Sequence, residues 1–174
     1  GFDPDTDLVR VGVANQTTML ATESLAIADA VGESLAKRYG RENIAEHFRS
    51  FDTICSATQE RQDAVLAMMQ DPPDIMIVIG GYNSSNTNHL AHLCREYTTT
   101  YHIADASCID IENGTIRHKP ELDPEAPEVV TDDWLPEGPL PVGMTAGAST
   151  PNSKIGEAME RPLALRGINL REED

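Results

Sequence analysis

Four short turns carry the residues able to do chemistry: Asn15-Gln-Thr-Thr18, Cys55-Ser-Ala-Thr58, Asn83-Ser-Ser-Asn86 and Ala146-Gly-Ala-Ser-Thr150. Ser84, Ser85, Asn86 and Ser149 offer neutral hydroxyl and amide groups next to segments that begin helical spacing. Such donors suit a phosphate or diphosphate, because the unpaired N–H groups of a first helical turn point the same way. The plainer alternative is that they only cap their own helices, a common use of Ser and Asn at that position. Cys55 lies between an apolar approach and a helix start, where the helix dipole stabilises a thiolate. From its placement, nucleophile, redox sulfur, metal ligand and inert buried thiol all stay open. Cys94 falls on an apolar helical face and reads as core. His89 and His92 stand three apart but belong to no HExxH or comparable metal pair.

The elements that must position these turns alternate. Asp74-Ile-Met-Ile-Val-Ile-Gly-Gly81 is an unbroken apolar run entering a glycine pair, the pattern of a strand buried on both faces of a parallel sheet. From Thr87 to Tyr97, Leu90, Leu93, Cys94 and Tyr97 recur at helical spacing. Upstream, Leu8–Ala14 reads as a strand, and Thr22–Arg38 as a helix burying Ile27, Val31 and Leu35 and ending at Tyr39-Gly40. Arg41–Thr53 reads as a helical turn and then a strand leading to Ile54. Ser56 and Gln59 fit a capping box for a helix over about Ala57–Gln70, stopped by Asp71-Pro-Pro73. Downstream, Thr99–Ala104 and Leu140–Ala146 read as strands, and a helix runs from about Pro151 to Glu160, with Pro162 as its stop. Gly1–Asp7 reads as a linker. The stretch 107–138, rich in proline and acid, reads as an irregular solvated excursion. The fold class is therefore α/β, with parallel-sheet lobes and flanking helices, whose ligands bind beyond the carboxyl ends of the strands.

Thirteen basic against twenty-nine acidic residues give a net charge of −16. That argues against nucleic acid or an anionic membrane as partner, yet local backbone dipoles still allow a small anionic ligand. No apolar run approaches the roughly 18 residues of a membrane span. Three cysteines without a CxxC cannot all pair, which fits a reducing compartment. A start at Gly1, without methionine or signal layout, leads us to expect a piece of a longer protein.

Taken together, Asn15-Gln-Thr-Thr-Met-Leu20, Thr53-Ile-Cys-Ser-Ala-Thr-Gln-Glu-Arg-Gln-Asp-Ala64, Gly80-Gly-Tyr-Asn-Ser-Ser-Asn-Thr87 and Thr145-Ala-Gly-Ala-Ser-Thr-Pro151 resemble the 4-hydroxy-3-methylbut-2-enyl diphosphate reductase family. Its members catalyse the last step of the methylerythritol phosphate route to isoprenoids. The first motif and Trp134-Leu-Pro-Glu-Gly-Pro139 resemble its cyanobacterial and plant branch. The resemblance implies three α/β lobes around a cavity and a [4Fe–4S] cluster on three cysteines, with one iron open to the substrate hydroxyl. Two electrons and two protons then remove that hydroxyl as water, giving isopentenyl and dimethylallyl diphosphates. Carried over, Cys55 is the third cluster ligand. Ser84, Ser85, Asn86 and Ser149 are diphosphate contacts. Thr17, with Gln16 beside it, assists proton delivery at the substrate hydroxyl. The family's other two cluster cysteines, its diphosphate-binding histidines and its relay glutamate belong to an N-terminal half outside this chain.

On this reading residues 1–53 complete a second lobe, 54–162 form the third and 163–174 a tail. The resemblance also implies a ferredoxin- or flavodoxin-type electron donor, and bacterial cytoplasm or plastid stroma as the location. A non-catalytic anion-binding module is the competing reading. A quinolinate-synthase-like enzyme is a third, disfavoured by the Asn-Ser-Ser-Asn and Thr-Ala-Gly-Ala-Ser turns.

Overall fold

The computed structural model describes residues 1–169 except Thr18, Leu20, Leu122 and Pro124. The chain divides into two compact units, Gly1–Gln59 and Glu60–Asp174. This division falls six residues after the expected 53/54 boundary, inside a helix rather than ahead of it.

In the first unit, helix α1 (Pro4–Asp7) is a single turn where a linker was expected. The Asp3 carboxylate accepts from Asp5 N at 2.9 Å and starts it. Strand β1 (Val11–Ala14) leads to helix α2 (Ala21–Tyr39), then α3 (Ile44–His47) and strand β2 (Phe48–Phe51). β1 and β2 pair in parallel, Val11 opposite Phe48 and Ala14 opposite Phe51. The buried face of α2 is Ala21, Ser24, Ala28 and Leu35. Ile27, expected on that face, is 59% exposed. The spacing of small residues explains the difference. Positions 21, 24, 28 and 35 follow the helical period as well as 27, 31 and 35 do, and small side chains let the helix approach its neighbours closely.

Helix α4 (Ser56–Met68) is followed by strand β3 (Ile75–Ile79), helix α5 (Ser85–Arg95), strand β4 (Thr99–Ile103), strand β8 (Val142–Ala146) and helix α6 (Asn152–Leu165). The three strands form a parallel sheet in the order β4-β3-β8. Every residue of β3 is buried. Ile75, Ile77 and Ile79 pack on one face with Tyr101, Ile103, Ala146 and Ala158, while Met76 and Val78 pack on the other with Val65, Met69, Leu90 and Cys94. Two covered faces explain the unbroken apolar run, and each such side chain contributes about 1.5–3 kcal/mol of burial.

Residues 107–138, expected to be irregular, contain strands β5 (Ile109–Asp110), β6 (Thr115–His118) and β7 (Val129–Thr131) in an antiparallel sheet of order β5-β6-β7. Ile109, Ile116 and Trp134 enter the same core as Ile77 and Ile103. A few large apolar side chains at alternating positions suffice to bury one face, however acidic the residues between them.

Pro162 does not end α6 but lies inside it, buried. Its missing N–H costs one bond to residue 158, and the helix continues because Leu165 packs on the core. The end comes at Gly167. Ile168 N donates to Leu163 O at 2.9 Å and Gly167 N to Ala164 O at 2.9 Å, the paired bonds of a Schellman cap. Of the expected tail 163–174, residues 170–174 lie outside the described residues. Among the described residues no helix is long and apolar enough to cross a membrane.

Candidate functional site

In the second unit, β3 and β8 run side by side and finish in register, Ile79 opposite Ala146. Two turns therefore leave the same sheet edge, Gly80–Ser84 into α5 and Gly147–Thr150 into α6. They are locked together. Gly147 N donates to Ile79 O at 3.0 Å and Ala148 N to Asn86 Oδ1 at 2.8 Å. Gly80 sits at φ +149, a conformation L side chains rarely adopt, and a Cβ there would lie 2.8 Å from Thr87 Oγ1. A Cβ at Gly147 would overlap the same hydroxyl. Glycine at both places lets the turns close over Thr87.

This edge gathers four of the residues singled out in the sequence. Ser84 is the N-cap of α5, its Oγ accepting from Thr87 N at 3.3 Å. Its oxygen is thus used by the helix, while its O–H can point outward. Ser85, half-buried, begins the helix. Asn86 is only 3% exposed, and its Nδ2 is buried without a hydrogen-bond partner. An unpaired buried amide donor costs about 1–3 kcal/mol, a cost that an acceptor reaching it would offset. Ser149 is exposed and follows Ala148, whose N–H binds Asn86. Thr150 Oγ1 donates to Ile79 O at 3.3 Å instead of capping α6, whose N-cap is Pro151.

In the first unit, the turns after β1 and β2 are likewise joined. Asn15 N donates to Thr53 Oγ1 at 2.8 Å, and Cys55 N donates to Thr17 O at 3.2 Å. Thr17, Gln16 and Cys55 are all exposed; Thr18 lies outside the described residues. The helix starts one residue before the expected Ala57, so Ser56 does not stand at the N-cap position of a capping box. Ser56 is already helical, and Cys55 O accepts from Thr58 N at 2.9 Å and Gln59 N at 3.0 Å. Cys55 thus immediately precedes α4. Cys94 and Cys108 are buried, and burial pushes the Cys94 thiol up to about 12, with Arg95 opposing. Among the described residues no group of three or more His, Cys, Asp or Glu side chains could hold a metal ion. Of the three thiols, that of Cys55 alone is exposed.

Sequence reading missed the polar cluster behind the Gly80 turn. His102, fully buried on β4, sits with Nε2 3.0 Å from Gly80 O. A carbonyl can only accept, so Nε2 carries the proton, and Nδ1 is left buried without a partner. Burial lowers the pKa of His102 to about 4, reinforced by Arg95 and Lys119 and opposed by the bond to Gly80. Tyr82 lies edge-on to His102, ring centroids 4.9 Å apart, and donates to Glu128 Oε1 at 2.6 Å. Arg117 Nη1 donates to both Glu128 oxygens at 2.6 Å. The alternation of Thr115-Ile-Arg-His118 was the available signal, obscured by the acidic composition around it.

The family model described as LytB protein matches residues 3–162. A 4-hydroxy-3-methylbut-2-enyl diphosphate reductase of Thermosynechococcus vestitus is 48% identical over 170 residues, covering 97% of this chain and 41% of that protein. The reductase of the same name from a Cyanothece species is 48% identical over 169 residues, with the same shares covered. A solved E-1-hydroxy-2-methyl-but-2-enyl-4-diphosphate reductase from Plasmodium falciparum shares the fold at a TM-score of 0.53 and 19% identity, covering 86% of this chain and 38% of that one. The chain thus spans about two fifths of the length of these curated relatives. Over nearly all of its own length, it belongs to the LytB protein family.

Proposed function

We propose that this chain is the carboxyl-terminal part of an iron–sulfur reductase acting on 4-hydroxy-3-methylbut-2-enyl diphosphate. The reaction breaks the C–O bond of the hydroxyl, takes up two electrons and two protons, releases water and leaves isopentenyl or dimethylallyl diphosphate. The observation that carries this reading is 48% identity to reductases of that name across 97% of the chain.

The geometry supports the division of labour. Ser84, Ser85, Asn86 and Ser149 hold the diphosphate, with the unpaired Asn86 Nδ2 and the first-turn N–H groups of α5 as donors to phosphoryl oxygen. A site built from neutral donors binds an anion without a compensating cation, so its strength depends on exclusion of water and fixed dipoles. Thr17 serves the substrate hydroxyl, its exposed side chain passing a proton toward the departing oxygen. Cys55 supplies one thiolate to a [4Fe–4S] cluster, and two further cysteines come from the rest of the full-length protein. When bound, that cluster supplies the electrons and a Lewis-acidic iron for the hydroxyl oxygen. The electron donor on this reading is of ferredoxin or flavodoxin type, and the location is bacterial cytoplasm or plastid stroma.

The test is turnover. Full-length protein, reconstituted anaerobically and given a reduced donor, is expected to convert the hydroxylated diphosphate into the two isomers. Failure to form either one overturns the reading.

A further inference from the structure

Tyr82 stands in the glycine turn itself, yet its contacts reach far along the chain. Its carbonyl accepts from Asn88 Nδ2 on α5 at 2.9 Å, its ring meets His102 of β4 edge-on, and the Lys119 ammonium lies 5.4 Å from the ring centroid. Its hydroxyl donates to Glu128, forty-six residues away, which Arg117 of β6 holds in turn. Lys119 is anchored through its backbone, its N donating to His102 O at 2.9 Å and its O accepting from Arg95 Nη2 at 2.6 Å. The turn that presents Ser84, Ser85 and Asn86 is therefore held on one side by α5 and β4 and on the other by the antiparallel sheet.

We propose that Tyr82 is a positioning residue for the anion-binding turn and that the Arg117–Glu128 pair, which ties β6 to the residue just before β7, is the latch that sets it. This inference rests on the anion reading of the turn given above. It also gives the acidic stretch 107–138 a task beyond covering the core. A charge-assisted O–H···O bond to a carboxylate already fixed by a guanidinium is short and directional, so it holds a ring in one place better than packing alone. Loss of the hydroxyl or of the carboxylate lets the turn sample positions in which the α5 donors no longer converge, and small misplacements of a binding turn weaken binding steeply. The groups act in series, so their removal is not additive.

The test uses the full-length holoenzyme and inorganic pyrophosphate as the probe, bound at equilibrium and measured by calorimetry, alongside the kinetics of the diphosphate substrate. Tyr82→Phe and Glu128→Gln are each expected to weaken pyrophosphate binding about tenfold and to raise KM with kcat changed less than about twofold, the pattern of lost binding rather than lost chemistry. The double variant is expected to be no weaker than either single one. Visible absorption of the cluster and melting temperature, read on the same samples, are expected to match the parent. Ser84→Ala serves as the reference for the turn. If Ser84→Ala weakens pyrophosphate binding but Tyr82→Phe and Glu128→Gln do not, the latch is overturned and the anion site stands. If all three leave it unchanged, the anion reading falls and the latch with it. Additive losses in the double variant also overturn the latch.

Discussion

The two units each end a parallel strand pair in a turn of small polar residues, and the two ends are built differently. After β3 and β8 the turns are closed by glycines, bonded to one another and partly buried, with Asn86 Nδ2 left over as a donor. After β1 and β2 the turns are joined by hydrogen bonds between Asn15 and Thr53 and between Cys55 and Thr17, and Thr17, Gln16 and Cys55 stand exposed. The first arrangement fixes donors before a ligand arrives, which suits recognition of a constant group such as a diphosphate. The second leaves reactive groups accessible, which suits residues that must meet a metal cluster or a leaving hydroxyl. On the proposed reading, rigidity lies where the diphosphate is held and exposure where the hydroxyl leaves.

The sharpest way to break this contrast is through the cysteines. Cys55→Ala in the full-length protein is expected to abolish the visible absorption of the cluster and to lower activity by at least about 100-fold. Cys94→Ala is expected to keep the absorption and to lose only stability, about 1–2 kcal/mol for a small core cavity. Equal loss of absorption in both variants would sink the assigned roles.

Acid is expected to act on the β3–β4 unit through His102. Its folded pKa, about 4, lies below the ordinary 6.5, so the unfolded chain binds the extra proton between these values. The contribution is complete above pH 6.5 and is lost as pH falls toward 4, on the order of a few kcal/mol. His102→Gln removes the titration, and its stability is expected to depend less steeply on pH across that window in denaturant melts. Parallel slopes for parent and variant would remove His102 as the cause.

Substitutions at the strand ends sharpen the comparison further. Gly80→Ala is expected to cost about 1–3 kcal/mol, from the φ of +149 and the close approach of Thr87. Ser84→Ala is expected to cost about 1 kcal/mol through loss of the α5 cap. The smallest effect is expected from Gly12→Ala in β1, where a Cβ meets nothing within 4 Å; stability should change by less than about 0.5 kcal/mol. Thermal melts of the three variants side by side decide the order.

What was legible in the sequence is what local physics determines. The run Ile75–Ile79 had to be a strand covered on both faces, and the glycines after it had to mark a turn, because neither inference needs a distant partner. The serines and Asn86 could be placed at that turn for the same reason. The antiparallel sheet was not legible. Its strands are two to four residues long, and their pairing is set by contacts of Ile109, Ile116 and Trp134 with a core built elsewhere in the chain. Tyr82 was hidden by the same non-locality, since nothing near residue 82 announces Glu128. Pro162 misled because a helix stop is a local rule, and the packing of Leu165 overrides it.

Trp134 is the chain's single tryptophan, and it lies 2% exposed against Tyr101, ring centroids 5.6 Å apart. The chain therefore carries a built-in optical reporter at the junction of the antiparallel strands and the parallel sheet. Its emission should move to longer wavelength when that junction loosens, so the seating of one sheet on the other can be followed without attaching a dye.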